Sequence, residues 1–598
     1  MINFPHTFHI PVMGTGYTID SPIKVARFGI NSVVSIIDHR LMEMMREYYS
    51  NEFGKPFYSI NEKSIDSREK RITTYLDFMG EIVAEQFERI RNEEFTPSSE
   101  INKYFELLPD DSPLKCTYLE MLALEGSERI SRENQLREQM VPGRIDVNVM
   151  TKVDRQNFAR KNQPLPTEYN DAHSAIRGFA KSKLKSSVVL SAGLNPRLYG
   201  YIAEFADFLP DKNGNFNKQI ILKVSDYRSA LIQGKFLAKK GLWVTEFRIE
   251  SGLNCGGHAF ATDGHLIGSI LQEFRDKSGE LQSTLHSLYA QAMSDRDGTM
   301  PNALPAIRYS VQGGVGSAEE HEFLMNEYGV CSVGWGSPFL LVPEAVNIDA
   351  DTMRLLSKAG EGDLYLSNIS PLGVPFNTVK GTTAELERDA RIKAGKPGSP
   401  CYKEHLISNR EFTSDPICTA SRQYQRKKMD ELRSTITDES ELKKAFEAVT
   451  EKTCLCVGLG NSAMGNAGAK LYNGMRGVVV CPGPNMAYFS REVSLKEMVD
   501  HIYGRTNILI GQERPHMFVK ELSIYVDYLK KLIDESRGAI NQKQAVYFQS
   551  FKENLDGCID YYKQLVSDSS TRLATKTDRF IEDVNVLKIK LQSVMMAV

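Results

Sequence analysis

The sequence lacks any long apolar run and any recognisable secretory segment. No stretch of about eighteen consecutive apolar residues, the least that spans a membrane as a helix, occurs in the chain. The opening MINFPHTFHIPVMG has neither the basic region nor the apolar region of a signal peptide. We therefore expect a cytoplasmic protein with no membrane partner.

The sequence also lacks an excess of charge of either sign. Its 73 basic and 76 acidic residues are interspersed along 598 residues and leave a formal net charge of -3. A nucleic-acid partner would favour a basic patch or tail, so we expect no binding to nucleic acid. With 41% hydrophobic residues, a chain of this length buries a sizeable core.

Several common catalytic and metal-binding patterns are missing. The sequence contains no HExxH, no GxSxG and no GKS or GKT phosphate loop. Its nine cysteines are odd in number and irregularly spaced, which favours reduced thiols over a disulfide framework. Cys401, Cys418, Cys454 and Cys456 raise the alternative of a zinc or iron–sulfur site. They form neither a C-x2-C pairing nor a ferredoxin run, so we expect no metal.

What the sequence does contain is a series of short apolar runs that end in glycine-rich or polar turns and alternate with helical stretches. The runs are HIPVMGTG, GINSVVSII, IDVNVMTK, SSVVLSAG, KQIILKVS, WVTEFRIESG, AIRYSVQGGVG and GVCSVGWGS. Buried strands that alternate with amphipathic helices indicate a parallel sheet covered by helices. With about eight strands, we expect an α/β protein whose sheet closes into a (β/α)8 TIM barrel.

Segments outside this pattern predict additions to the barrel. Residues 40–140 are charged and helix-periodic, which predicts a helical insertion that divides the barrel into residues 1–39 and 141–390. Residues 391–515 begin with a linker rich in proline and glycine, and we expect them to cap the barrel with loops over its mouth. Residues 516–598 have helical hydrophobic spacing. They predict a C-terminal helical extension, a hairpin or small bundle docked on the barrel or on a second subunit, so a homo-oligomer formed through the helical additions is a further expectation.

The run CLCVGLGNSAMGNAG in the capping segment resembles a dinucleotide-binding turn, because a strand-like TCLCV precedes a glycine-rich opening. The acidic residue expected about twenty residues later is missing, which argues against a Rossmann unit. We expect a loop folded back over the barrel mouth instead.

Residues that follow the strands are the candidates for a functional site, because the carboxyl ends of parallel barrel strands meet at one face. Backbone donors are common among them and acids are rare. They include Met13, Gly14, Asn148, Lys223, residues 254–258, residues 312–314 and residues 334–337. Two of these turns, QGGVGS and GWGSPF, place glycines after successive late strands, where backbone N–H groups can approach an anion closely. We predict a phosphate site there.

The order and spacing of PVMGTG, DVNVM, LKVS, SGLNCGGHAF, QGGVGS and GWGSPFL resemble the nitronate monooxygenase (2-nitropropane dioxygenase-like) family of FMN-binding barrels, which includes flavin-dependent enoyl reductases. That family has a PMAG-type turn after its first strand, a lysine that closes a central strand, a GxEAGGHxG turn, and GGI and GTRF phosphate loops. The resemblance covers roughly residues 5–36 and 142–390, and it implies non-covalently bound FMN.

The resemblance implies a role for most candidate residues. Met13 and Gly14 would lie against the isoalloxazine ring, and Lys223 would lie near its N1 and C2 carbonyl side, where a cation stabilises reduced anionic flavin. His258 would handle the substrate proton beside the ring. Gly313, Gly314, Gly336 and Ser337 would hold the phosphate, and the other cofactor contacts would be Asn148, Gly256, Gly257, Gln312 and Gly334.

One turn departs from the family. Where the family has EAGGH, residues 254–258 are NCGGH, so an acid is lost and a thiol is gained. Asn254 still hydrogen-bonds a carbonyl, and Cys255 is either an inert buried thiol or a reactive thiol beside the flavin. Likewise, His258 has the alternative of a satisfied turn histidine, and Lys223 that of a surface lysine with a buried stem.

These features predict an FMN-dependent oxidoreductase that acts on a small organic substrate, in which His258 handles the proton and Asn254 and Cys255 shape the pocket. One hypothesis is a nitronate monooxygenase-like oxidase that uses O2, although the missing acid argues against denitrification of small nitronates. The alternative is an enoyl- or ene-type reductase with NAD(P)H as electron donor. A second alternative is a non-catalytic flavin-binding or scaffold protein whose helical additions form the working surface.

Overall fold

A computed structural model shows the fold of most of the chain. The described residues are 4–159, 163–256, 263–296, 304–509, 513–536, 540–567 and 577–595. Two candidate site residues, Gly257 and His258, lie outside them. Within the described ranges, no helix combines the length and the apolar character that a membrane crossing requires.

Eight parallel strands close into a barrel in which neighbours in the sequence are neighbours in the sheet and the last strand pairs with the first. The strands are β1 (Phe8–Ile10), β2 (Asn31–Ser35), β3 (Ile145–Met150), β4 (Ser186–Ser191), β5 (Lys218–Val224), β6 (Val244–Glu250), β7 (Arg308–Gln312) and β8 (Ser332–Gly334). The TIM barrel expected from the alternating apolar runs is confirmed.

Helices cover the outside of the barrel between successive strands. They are α1 (Ser21–Val25), which follows β1, and then α7 (Asp171–Lys181), α8 (Pro196–Ile202), α9 (Tyr227–Ala238), α10 (Ile267–Asp295) and α11 (Ala318–Tyr328). Side chains at the N-cap position cap three of these helices: Asn195 accepts from the Leu198 amide in α8, Asp226 from the Ser229 amide in α9 and Ser317 from the Glu320 amide in α11. Helix α10 follows Leu266, whose side chain makes no capping hydrogen bond.

Side chains of β6 alternate between the helical layer and the barrel interior. Phe247 is fully buried and packs against α10. In the interior, Arg248 Nη2 lies 2.8 Å from Glu246 Oε1 and, across the barrel, 3.3 Å from Asp146 Oδ2 of β3. Buried charges require such partners. This ionic cluster occupies the amino-terminal half of the interior, so the space for a ligand lies at the carboxyl ends of the strands.

Five helices separate β2 from β3 and form the insertion. They are α2 (His39–Glu52), α3 (Ser67–Arg91), α4 (Glu100–Leu107), α5 (Pro113–Leu122) and α6 (Gly126–Gln139). Helix α3 lies directly on barrel helix α7, because a Cβ at Gly178 would be 2.9 Å from Ile72 Cβ. The insertion is therefore part of the helical layer around the barrel.

The chain after β8 forms a small hairpin and several helices. These elements are α12 (Ala350–Lys358), the antiparallel strands β9 (Leu364–Ser367) and β10 (Phe376–Val379), α13 (Thr383–Lys393), α14 (Arg422–Thr435), α15 (Glu439–Thr450), α16 (Leu455–Gly458), α17 (Asn461–Asn466) and α18 (Leu495–Ile502). The hairpin was not expected from the sequence. Most of TCLCV, which a dinucleotide-binding turn requires as a strand, forms α16, so the Rossmann alternative is excluded.

Three helices form the C-terminal extension, namely α19 (Met517–Ser536), α20 (Gln542–Ser567) and α21 (Thr577–Met595). Aromatic rings pack between them. Phe518 stacks on Tyr562 with ring centroids 5.0 Å apart, and Tyr562 lies 6.0 Å from Phe580. A Cβ at Gly268 of α10 would be 2.5 Å from the Tyr562 ring, so the extension is docked on the barrel of its own chain.

Candidate functional site

Four polar side chains meet at the carboxyl ends of β5, β6 and β7. Lys223 Nζ lies 2.9 Å from Glu250 Oε1. The Asn254 amide donates to the same Glu250 oxygen, and Gln312 Nε2 donates to Asn254 Oδ1 at 3.2 Å and contacts Glu250 Oε1 at 3.4 Å. We call these four residues the mouth cluster. They bring together three residues predicted from the sequence with one acid that was not predicted.

Glu250 was not among the predicted site residues. It is the last residue of β6, and the residues predicted for this part of the site lie in the turn after that strand, at positions 254–258. The alternation of side chains along a strand places Glu246, Arg248 and Glu250 on one side, a signal that was available in the sequence. An acid four residues before Asn254 is therefore in contact with it.

Asn148 of β3 contributes an unsatisfied acceptor. Its side chain is buried, and its amide oxygen has no hydrogen-bond partner among the described residues. Asn148 pairs with Ser35 of β2 and with Val189 of β4, near the carboxyl ends of these strands. A buried polar atom without a partner is costly, so this oxygen is a candidate for accepting a hydrogen bond from a ligand.

The turn after β1 is tightly packed. Met13 is fully buried, and its amide donates to Thr18 Oγ1 at 3.2 Å. Gly14 has a φ of +56°, and a Cβ there would lie 3.2 Å from the Tyr17 ring and 3.3 Å from Leu459. The turn predicted to lie against a flavin ring is therefore also covered by the segment that contains α16 and α17.

Cys255 is a neutral, buried thiol in this structure. Its Sγ donates to the Cys481 carbonyl at 3.4 Å, and burial raises the pKa of Cys255 to about 12. A protonated thiol that is tied to a carbonyl is a poor nucleophile, which favours the inert alternative for this residue. A Cβ at the next residue, Gly256, would lie 3.1 Å from Nδ2 of the Asn254 side chain. The roles of Gly257 and His258 remain predictions.

The predicted phosphate loops follow β7 and β8. Gly313 and Gly314 have φ values of +107° and +86°, which favour glycine. Within the described part of the chain, no acceptor takes a hydrogen bond from the backbone N–H groups of Gly313, Gly314, Gly336 or Ser337. Backbone donors on adjacent loops are the kind of group that binds an anion, so the phosphate site stays a prediction.

The same glycines also permit close packing of loop on loop. A Cβ at Gly313 would be 3.0 Å from the Asn254 backbone, one at Gly334 would be 2.6 Å from Gln312 Cβ, and one at Gly336 would be 2.9 Å from Cys255 Cβ. The loops after β6, β7 and β8 are thus held against one another at the mouth.

A cationic side chain lies beside the loop after β7. Arg514 Nη1 donates to Glu320 Oε1 at 2.7 Å, Nε donates to Asn485 Oδ1 at 2.7 Å, and Nη2 donates to the Gly314 carbonyl. A Cβ at Gly316 would be 2.6 Å from Arg514 Nε. No sequence signal pointed to Arg514, because it lies 200 residues after the loop and outside the family resemblance.

The segment 454–489 covers the mouth. Tyr17 donates to the Val479 carbonyl at 2.7 Å, and the Gly483 amide donates to Ser337 Oγ at 3.0 Å. A Cβ at Gly483 would be 2.5 Å from the Leu253 carbonyl oxygen. Together with the Cys255 contact to Cys481, these bonds tie the segment to the loops after β1, β6 and β8.

The four cysteines singled out in the sequence come together as two pairs. Cys418 lies beside Cys401 and lowers the pKa of its thiol, and Cys456 lies beside Cys454 and lowers the pKa of that thiol. All four thiols are free. Among the described residues, no three histidine, cysteine, aspartate or glutamate side chains form a group that could hold a metal ion.

A cavity of about 400 Å³ borders Gly252, two residues after the end of β6. Aromatic and aliphatic side chains dominate its walls. They come from the β9–β10 hairpin, from α19, from the prolines on either side of Gly483 and from Tyr547 of α20. Cavities with mainly apolar walls and a few polar groups are typical of small-molecule sites.

These residues fit FMN, the cofactor that the resemblance implies. The phosphate would find, on two loops, backbone donors that have no acceptor among the described residues, with the Arg514 guanidinium beside them. The polar edge of the ring would find a cation at Lys223 and an unpaired acceptor at Asn148. The donor set is thus matched to a phosphate at one end and a polar heterocycle at the other.

Comparison with known protein families and with curated protein sequences gives no match. Solved structures with a similar fold include the enoyl reductase domain of MlnA from the macrolactin biosynthesis cluster of Bacillus amyloliquefaciens, at 14% identity and a TM-score of 0.34 over 69% of this chain and 89% of that one. FabK from Thermotoga maritima is similar at 12% identity and a TM-score of 0.30, over 69% of this chain and 85% of FabK. Nitroalkane oxidase from Streptomyces ansochromogenes has 9% identity and a TM-score of 0.30 over 63% and 83%.

Enoyl reductases are among the members of the group that the sequence resembles.

Proposed function

We propose that this protein is an FMN-dependent oxidoreductase that acts on a small organic substrate at the barrel mouth. The observation that supports it most is the placement of Lys223 beside Glu250, Asn254 and Gln312, next to the loops after β7 and β8, where the Gly313, Gly314, Gly336 and Ser337 N–H groups have no acceptor among the described residues. A cation at one end and an anion site at the other is the arrangement that a flavin mononucleotide requires.

When bound, FMN supplies the two-electron chemistry. The protein's own residues hold and orient it: Gly313, Gly314, Gly336 and Ser337 bind the phosphate through their backbone N–H groups, and Asn148 accepts a hydrogen bond from the ring. Lys223 provides positive charge where negative charge develops on the reduced ring, and its ion pair with Glu250 fixes the position of the ammonium group.

The mouth cluster also orients Asn254 toward the substrate space. Its amide nitrogen donates to Glu250 and its oxygen accepts from Gln312, so both ends of the carboxamide have a fixed partner. In this proposal His258 gives or takes the substrate proton, a role that rests on the family resemblance. Segment 454–489 excludes water from the mouth by covering it.

We place the apolar part of the substrate in the cavity beside Gly252. Its aromatic and aliphatic walls, which include Tyr525, Ile524 and Val374, offer apolar contacts within reach of the loop that follows β6. The substrate of this proposal therefore has an apolar portion as well as the group that is oxidised or reduced.

The alternative within this class is an NAD(P)H-dependent enoyl- or ene-type reductase. Glu250 Oε1 is occupied by its contacts with Lys223, Asn254 and Gln312. In either reaction His258 would therefore be the group that exchanges a proton with the substrate.

Flavin absorbance separates the hypotheses. The freshly purified protein is titrated anaerobically with NADH, NADPH and propane 2-nitronate while the absorbance near 450 nm is followed. We expect a yellow protein, and bleaching by NADH or NADPH would support the reductase. Bleaching by the nitronate alone would support the oxidase. A colourless protein that does not quench FMN fluorescence on reconstitution would refute the proposal and favour the scaffold alternative.

A further inference from the structure

The beginning of the C-terminal extension contacts two loops of the barrel mouth. Arg514, just before α19, is bonded to the loop after β7 through Gly314 and Glu320. Glu521, in the second turn of α19, is bonded to the loop after β6. These two oppositely charged side chains connect a segment outside the family resemblance to the loops that hold the candidate site.

Glu521 joins two points of the chain that flank the loop after β6. Its Oε1 accepts from Ser251 Oγ at 2.9 Å and from the Gly252 amide at 3.0 Å, and its Oε2 accepts from the Ile267 amide at 2.7 Å. Ser251 and Gly252 directly follow β6, and Ile267 is the first residue of α10. One carboxylate therefore fixes the exit from the strand and the entry to the helix.

The contact is closely fitted on the same face of α19. A Cβ at Gly252 would be 2.8 Å from the hydroxyl oxygen of Tyr525, one helical turn after Glu521. Ser251 Oγ also accepts from the Leu253 amide at 3.1 Å, so the bond to Glu521 is continued into the loop. Asn254 of the mouth cluster is the next residue.

Packing alone does not explain a glutamate at this position. Glu521 is 1% exposed, and its three partners are neutral donors rather than a cation. Burying a carboxylate without a cation is unfavourable, and burial raises the pKa of Glu521 to about 7. The Leu266 side chain does not cap α10. The first amide of that helix, Ile267 N–H, instead donates to Glu521, which is 254 positions away in the sequence.

We infer that Glu521 is a positioning residue for the candidate site, through which the C-terminal extension holds the loop after β6, with Asn254 and Cys255, in place at the barrel mouth. The contact between Glu521 and the loop can be tested without any activity, by amide hydrogen exchange. Its effect on turnover rests on the proposed function and is tested separately, by kinetics.

Amide hydrogen exchange at a pD of about 8, where the carboxylate is ionised, tests the contact directly. In Glu521→Ala we expect the Gly252 and Ile267 amides to exchange at least about 10-fold faster than in the wild type, because both lose their acceptor. Glu521→Gln has one acceptor oxygen and one amino group. We therefore expect it to protect one of the two amides and to release the other.

Glu43→Gln is the matched control. Glu43 is a buried carboxylate of α2 that accepts from the Ile60 amide at 2.6 Å and pairs with Arg46 at 3.0 Å, remote in sequence from the mouth loops. We expect this variant to leave exchange at Gly252 and Ile267 unchanged. Unchanged exchange in Glu521→Ala, or equal acceleration in Glu43→Gln, would overturn the inference.

Turnover and the flavin spectrum provide the second readout. For Glu521→Gln we expect kcat to fall about 10-fold with FMN affinity retained, because the phosphate donors lie on the loops after β7 and β8. A fall no larger than that of Glu43→Gln would show that Glu521 is only a helix cap. If the wild type binds no FMN, the proposed function fails, while the exchange data still decide whether Glu521 holds the loop.

Discussion

The ammonium group of Lys223 lies 2.9 Å from the carboxylate of Glu250. This ion pair joins the ends of two adjacent barrel strands, and the carboxylate is further bonded to Asn254 and contacted by Gln312. Cation and anion orient each other where the proposed ring would lie, so the positions of both charges are fixed before a ligand arrives.

Lys223→Met removes the cation from the mouth. We expect turnover to fall about 100-fold, the size of losing one preorganised electrostatic group, and the spectrum of the reduced flavin to shift toward the neutral form. Lys218→Met is the control, because Lys218 is at the opposite end of β5 and donates to the Ser182 carbonyl at 2.8 Å. It should lower stability without a spectral change. Equal spectra for the two variants would contradict the role of Lys223.

Gly313→Ala tests the fit of the loop after β7. The new Cβ would meet the Asn254 backbone at 3.0 Å at a φ of +107°, and we expect a loss of about 3 kcal/mol in the free energy of unfolding. Gly329→Ala is the matched control, because Gly329 also has a positive φ, +62°, but no atom lies within 4 Å of the position of its Cβ. That variant should lose only about 1 kcal/mol. Urea unfolding measures both, and equal losses would show that the loops are not tightly apposed.

Stability should depend on pH through Glu521. Burial raises its folded-state pKa from the ordinary 4.5 to about 7, so the native carboxyl keeps its proton where the unfolded chain has lost it. The contribution is complete below pH 4.5 and is lost as the pH rises through 7, a change of about 3 kcal/mol. Urea unfolding at pH 5 and pH 8 should show the wild type losing that much relative to Glu521→Gln. A gain with rising pH would contradict the assignment.

Val374→Trp tests the cavity beside Gly252. Val374 lines it from the β9–β10 connection, so an indole there should reduce the space of about 400 Å³ and raise KM about 10-fold, with kcat less affected. Leu372→Trp is the control, since Leu372 is two residues earlier, 36% exposed and not part of the cavity wall. If both variants have the KM of the wild type, the substrate does not enter this cavity.

Much of the barrel was predictable, because each strand is a local apolar run and these runs alternate along the sequence with helical stretches, as in any (β/α)8 barrel. Asn254, Gln312 and Lys223 were likewise placed at one face by the rule that strand ends converge. The β9–β10 hairpin was missed because two four-residue strands without a strong alternation resemble loop. Glu250 was not predicted, because it is the last inward-facing residue of β6 and its role depends on contacts with Lys223 and Gln312 of other strands.

The sequence by itself determined the eight strands, the helical additions and the glycines and polar residues at the strand ends, because these depend on periodicity and on residues close together in the chain. Only the tertiary structure decided what those residues contact. Cys255 meets Cys481 across 226 positions, Gly314 meets Arg514 across 200, and Ser251 meets Glu521 across 270. Contacts at such separations depend on how whole elements pack, and no local pattern encodes them.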